Sequence, residues 1–133
     1  MAEEAARASL RPPGAARPAR RLLRGRCALL VTPLIDGMNL VAKEYVTVQH
    51  ARHGSGSLVL SEFTGAAAEL RDAVPCNPFD VEGLSQRIED ALRLPVAARR
   101  SALAAMALHV RDHDVHRWVA GQLADIAARG AAR

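Results

Sequence analysis

The chain has 133 residues, 50% hydrophobic and only 3% aromatic, which allows one modest domain with a core built from Ala, Leu and Val. No apolar stretch approaches the ~20 residues a membrane span needs, so no membrane partner is expected. The net charge of +4 sits in residues 1–26, with seven Arg against Glu3 and Glu4 (net +5), while residues 27–133 hold eleven Lys or Arg against twelve Asp or Glu (net −1), too near neutral for a nucleic-acid-binding body.

Residues 1–26 are rich in Ala, Arg, Pro and Gly and have no apolar period, which predicts a disordered basic tail. Arg20-Arg21 is not followed by an apolar run of signal-peptide length, so export is not expected and the cytoplasm is the predicted compartment. A basic arm for nucleic acid or anionic lipid is the alternative to a solvated tail without function. Ala28 to Thr32 then reads as a buried strand. Asp36-Gly37-Met38-Asn39 is a tight polar turn, with Gly37 the residue suited to a positive φ. Leu40 to His50 reads as a helix with Val41, Tyr45 and Val48 at helical spacing. The segment ARHGSGS (51–57) is a turn, beside which His50 and His53 are expected in solvent.

Leu58 to Ser61 reads as a second strand. The loop Glu62-Phe63-Thr64-Gly65 leads into a short Ala-rich helix ending near Leu70, and Ala73 to Cys76 reads as a third strand. Asp80 is the expected N-cap of a helix in which Val81, Leu84, Ile88 and Leu92 share a face. Pro95 starts another helix, with Leu103, Met106 and Val110 inward. Asp114 caps a last one, whose apolar stripe is Val115, Trp118 or Val119, Leu123 and Ile126, with Trp118 as packing anchor. Strands alternate with helices first and helices alone follow. The predicted class is α/β: a partial doubly wound parallel sheet with C-terminal helices, organised as a tail (1–26) and a folded unit (27–133).

The segment LLVTPLIDGMNLVAKE, Leu29 to Glu44, is the most informative. A strand that ends in a glycine turn and opens a helix is an anion site, because first-turn N–H groups have no partner within the helix and the helix dipole adds positive charge there. Asp36 and Glu44, eight residues apart, are placed to face a sugar or ribose beside the phosphates. Plainer readings stand beside these: Asp36 as an acid at a helix N-terminus, Glu44 as a surface residue, Lys43 as another. Asp112, His113, Asp114 and His116 look metal-like, but no second ligand pair exists and Asp114 is better used as a cap, so no metal and no cofactor is expected. Cys27 and Cys76 read as reduced core thiols rather than nucleophiles or a disulfide. Glu62 and Thr64 lie at a strand end, where ligands gather in such sheets.

Four segments occur in one order: VTPLIDGMNLVAKEYV (Val31 to Val46), LVLSEFTGAAAEL (Leu58 to Leu70), NPFDVEGL (Asn77 to Leu84) and DHDVHRW (Asp112 to Trp118). Together they resemble the C-terminal part of the α,α-trehalose-phosphate synthases, retaining glycosyltransferases of family 20 with the two-domain GT-B fold. The resemblance runs from about Cys27 to about Ile126 and rests most on DGMNLVAKE. It implies transfer of glucose from a nucleotide-glucose to glucose 6-phosphate, with the donor held by the C-terminal domain. It further implies that Asp36 hydrogen-bonds glucose hydroxyls and that backbone N–H groups of Gly37, Met38 and Asn39 meet the sugar. Those of Leu40 and Val41 would meet the diphosphate, and Glu44 would accept from the ribose hydroxyls. No protein nucleophile is implied, so no catalytic residue is assigned. The acceptor-binding domain of the family and the Arg and Lys that neutralise its diphosphate have no counterpart in this sequence. The expected origin is a truncated or frameshifted product, a family C-terminus behind an unrelated leader, inactive alone because it cannot align two substrates. The alternative is a non-catalytic protein docking on a full-length synthase or another partner through an unpaired sheet edge and an uncovered apolar face.

Overall fold

The computed structural model describes residues 28–131; the expected disordered tail and Cys27 lie outside the described residues. The elements are β1 (Ala28–Val31), α1 (Leu40–Ala51), β2 (Ser57–Ser61), α2 (Ala66–Glu69), β3 (Val74–Cys76), α3 (Val81–Arg93), α4 (Val96–Asp112) and α5 (Val115–Ala131). Each falls within a residue or two of its expected place.

The strands form one sheet in the order β1-β2-β3, and both pairings are parallel, with Leu29 beside Leu58 and Val59 beside Val74. Parallel neighbours need crossovers, which α1 and α2 supply. The central strand, SLVLS, is buried along its whole length, as expected of a parallel strand covered on both faces. Its side chains alternate between two cores. Leu58 and Leu60 meet Tyr45 and Val46 of α1, Leu70, and Leu103 and Met106 of α4. Val59 points the other way, to Cys76 and Ala91 of α3. Helices therefore cover both faces, and the predicted α/β class stands.

Caps fix the helix starts. Asp80 accepts from the Gly83 N–H at 2.9 Å and Asp114 from the Arg117 N–H at 3.0 Å. Cys76 is a buried free thiol. Burial, and secondarily the nearby charge of Glu62, pushes its pKa up and keeps it protonated and unreactive.

Three expected apolar faces are corrected. In α1 the buried residues are Ala42, Tyr45, Val46 and Gln49, and Val41 is 53% exposed. Gln49 is kept inside because its Oε1 accepts the Gly56 N–H at 3.3 Å, closing the turn into β2. In α3 only Ala91 is fully buried; Val81 and Leu92 are exposed because the helix lies over a sheet only three strands wide. In α5 the whole stripe Val115, Trp118, Val119, Leu123 and Ile126 is exposed, since no other described element packs over it. Trp118 therefore anchors nothing, at 57% exposure.

Candidate functional site

The chain leaves β1 through Pro33, whose carbonyl accepts from Ser61 Oγ at 2.8 Å at the end of β2. It then runs alongside the loop after β2. The Asp36 N–H donates to the Phe63 carbonyl at 3.3 Å, the Gly65 N–H to the Asp36 carbonyl at 3.1 Å, and the Ala66 N–H to the Gly37 carbonyl at 3.3 Å. Gly65 permits this approach: a Cβ there would lie 2.9 Å from the Gly37 carbonyl oxygen. Thr64 is buried and its Oγ1 accepts from the Ala66 N–H at 2.9 Å, so its hydroxyl starts α2; Glu62 is exposed.

The Asp36 carboxylate organises the turn. Oδ1 accepts from the Gly37 N–H at 2.8 Å and Oδ2 from Asn39 Nδ2 at 2.6 Å. Gly37's amide is thus turned back on Asp36. The residue at positive φ is Asn39 (φ 46), not Gly37. Asn tolerates the left-handed region, and here the conformation lets Oδ1 accept from the Ala42 N–H at 3.0 Å as the N-cap of α1. The N–H groups of Leu40 and Val41 have no acceptor among the described residues. They form the open, electropositive end of α1.

That end borders a cavity of about 1120 Å³. Gly37, Met38, Leu40, Lys43, Glu44 and Val48 form one side; Val110, His113, Val115, Trp118 and Gln122 form the other. Of the expected site residues, Gly37, Met38, Leu40 and Glu44 line it, while Asp36, Asn39 and Val41 are not among its lining residues. Asp36, Gly37, Met38 and Leu40 are exposed, so the turn is open to solvent. The lining also carries Glu69, Asp114 and Asp125 against Lys43 and Arg117. Donors at the helix end suit an anion, and carboxylates suit the hydroxyls of a diol.

Lys43 is not the plain surface residue expected. Its side chain is 14% exposed and its Nζ lies 2.7 Å from Glu69 Oε2 on α2. Lys43, Glu69 and Ser61 are the residues sequence reasoning missed; the only hint was that Lys43 and Glu69 both fall inside the segments carrying the family resemblance. Three of the four metal-like residues, Asp112, His113 and Asp114, have other partners. His113 stacks on His109 with ring centroids 3.9 Å apart and its Nδ1 lies 3.0 Å from the His109 carbonyl. Asp112 accepts from Arg111 at 3.0 Å and Asp114 caps α5. Among the described residues no group of three or more His, Cys, Asp or Glu is arranged to hold a metal.

Because Asn39 both caps α1 and adopts the left-handed conformation, Asn39→Ala is expected to cost about 2 kcal/mol, roughly half from each cause. Asn39→Gly, free of the conformational part, is expected to recover about 1 kcal/mol of it. Urea unfolding of the three proteins reads this directly.

The family model of Glycosyltransferase family 20 matches residues 21–128. Trehalose-6-phosphate synthase of Mycolicibacterium vanbaalenii is 52% identical over 101 residues, 76% of this chain and 20% of the relative. That of Mycobacterium ulcerans is 56% identical over 90 residues, 68% of this chain and 18% of the relative. The chain thus spans about a fifth of the length of the curated relatives it matches. Among solved structures, a Burkholderia xenovorans α,α-trehalose-phosphate synthase (UDP-forming) in complex with glucose-6-phosphate superposes with TM-score 0.73 at 42% identity, covering 80% of this chain and 23% of that one. An E. coli structure described as trehalose-6-phosphate bound with UDP-2-fluoro glucose superposes with TM-score 0.77 at 38% identity, covering 87% of this chain and 26% of that one. With its strand–turn–helix unit and most of its length accounted for by these matches, the chain belongs to glycosyltransferase family 20.

Proposed function

We propose that residues 27–133 are the nucleotide-sugar-binding part of a trehalose-phosphate synthase. In this reading Leu40 and Val41 offer their amides to the diphosphate and Glu44 accepts from the ribose hydroxyls. Asp36, Gly37, Met38 and Asn39 form the turn beside the glucose, with Asp36 keeping acceptor capacity after its two internal hydrogen bonds. The observation that carries the reading is the unpartnered Leu40 amide and the Glu44 carboxylate on one cavity. The E. coli relative's UDP-2-fluoro glucose supports a nucleotide-glucose as donor, and the Burkholderia relative's glucose-6-phosphate supports that sugar phosphate as acceptor in the intact family. The reaction is glucosyl transfer between them, with amides at the helix end stabilising charge on the departing diphosphate. A buried free thiol at Cys76 suits the reducing cytoplasm.

Holding the donor is a smaller task than aligning two substrates, and alignment supplies much of the rate. The purified chain is therefore expected to bind UDP-glucose weakly, with Kd of roughly 1 mM, and to form no trehalose 6-phosphate when glucose 6-phosphate is added. Isothermal titration or ligand-observed NMR reads the first and a coupled synthase assay the second. Absence of saturable binding defeats the donor assignment; turnover by the chain alone defeats the assigned division of labour.

A further inference from the structure

We propose that Lys43 and Glu69 are positioning residues for the turn that faces the diphosphate. The proposal rests on the donor reading above for its ligand, and on the following geometry for its mechanism. The loop before α1 is held to the loop before α2 by three backbone hydrogen bonds, from Asp36, Gly65 and Ala66. These fix only the entry to the turn. Its exit is α1, whose sheet-facing side is seated by Ala42, Tyr45 and Val46, and whose first turn carries a second tie on the side toward α2. Lys43, on the first turn of α1, supplies that tie by reaching Glu69 at the far end of α2, 26 residues away, at 2.7 Å. The turn from Asp36 to Lys43 is thus bracketed at both ends against one segment, Phe63 to Glu69.

The bracket sets direction. Adjacent helix residues point about 100° apart. Holding Lys43 against α2 steadies the first turn of α1, and with it the neighbouring Glu44 side chain and the Leu40 amide at the helix end; both residues line the cavity. Charge matters as well. An ammonium this far from solvent needs a partner, and a Glu69 carboxylate without one would turn its charge on the cavity where the diphosphate is to arrive. His109 Nε2 lies 3.8 Å from Glu69 Oε2, beyond hydrogen-bond distance, so Lys43 is the closer partner of that carboxylate. Holding the pair together neutralises the two charges against each other on the wall that faces the ligand.

The test compares the wild type with Lys43→Ala, Glu69→Ala, Lys43→Arg and the charge-reversed double variant Lys43→Glu/Glu69→Lys. Amide hydrogen exchange of residues 36–44 is measured without nucleotide, and UDP-glucose affinity is measured alongside. Each alanine variant is expected to speed exchange in that segment by about tenfold, the size of a partly buried ion pair, with exchange in β2 unchanged. It is also expected to weaken UDP-glucose by a similar factor. Lys43→Arg and the reversed pair are expected to restore both. Unchanged exchange in the alanine variants overturns the proposal, as does exchange in β2 rising equally, which marks a general loss of stability. Restored exchange with affinity still lost in the reversed pair also overturns it, because Lys43 then touches the phosphate itself. If exchange responds and is restored but no variant, wild type included, binds UDP-glucose, the positioning role stands and the donor reading falls.

Discussion

Tyr45→Ala is expected to remove about 3–5 kcal/mol of stability, seen as a steep fall in the urea midpoint followed by far-UV circular dichroism. The sequence contains one Tyr, one Trp and two Phe. Of these only Tyr45 is buried, at 0% exposure; Phe63, Phe79 and Trp118 are all exposed. Its ring fills the space between α1 and β2, against a core otherwise made of aliphatic side chains. Its hydroxyl donates to the Ser57 carbonyl at 3.1 Å, at the point where β2 begins. Truncating a buried aromatic costs about 3–5 kcal/mol, a large share of the about 5–15 kcal/mol that holds a domain of this size together. Tyr45→Phe separates the two parts: it keeps the volume and gives up the hydroxyl, at about 1 kcal/mol. A Phe variant as unstable as the Ala variant would mean that the hydrogen bond, not the packing, decides.

Glu44→Ala is expected to raise the Kd for UDP-glucose by about 10- to 100-fold while leaving the urea midpoint unchanged. A charge-assisted hydrogen bond from a ribose hydroxyl to the carboxylate is worth about 1.5–3 kcal/mol, and about 1.4 kcal/mol is a factor of ten, so the range follows from the loss of one such bond. Stability is spared because Glu44 is exposed on α1 and faces the cavity, whereas neighbouring Tyr45 and Val46 face the sheet. Titration calorimetry with UDP-glucose and with UDP sharpens this. If Glu44 reads the ribose, both ligands lose equally. A loss confined to UDP-glucose would move Glu44's partner to the sugar.

Much of the fold was legible because its signals are local. Asp80 and Asp114 announce their helices by capping them, and the buried run Leu58-Val59-Leu60 marks the central strand. The inner faces of helices were less legible, because periodicity shows which side is apolar and not what lies against it. Val41 was expected inward for being large and apolar, yet α1 rests on Ala42 and on Gln49, a polar residue held inside by the Gly56 amide. Similarly, the stripe on α5 is real as a pattern and bare as a surface. At the site, the sequence placed the turn and the helix start correctly. It missed the left-handed residue because Gly37 is the easier guess, and Asn39 takes that role since its side chain caps the helix. Lys43 and Glu69 were invisible as a pair for a plainer reason: contact across 26 residues leaves no local trace.

The exposed stripe of α5 bears on how any ligand is enclosed. One wall of the cavity is built on α1, seated on the sheet by Tyr45 and Val46; the opposite wall carries Trp118 on a helix that buries none of its described side chains. A compound entering there takes its orientation from the seated wall. It obtains closure only by drawing the other one in, and ordering that helix subtracts from the free energy of association. A wall held by so few buried contacts is the costlier one to keep in place.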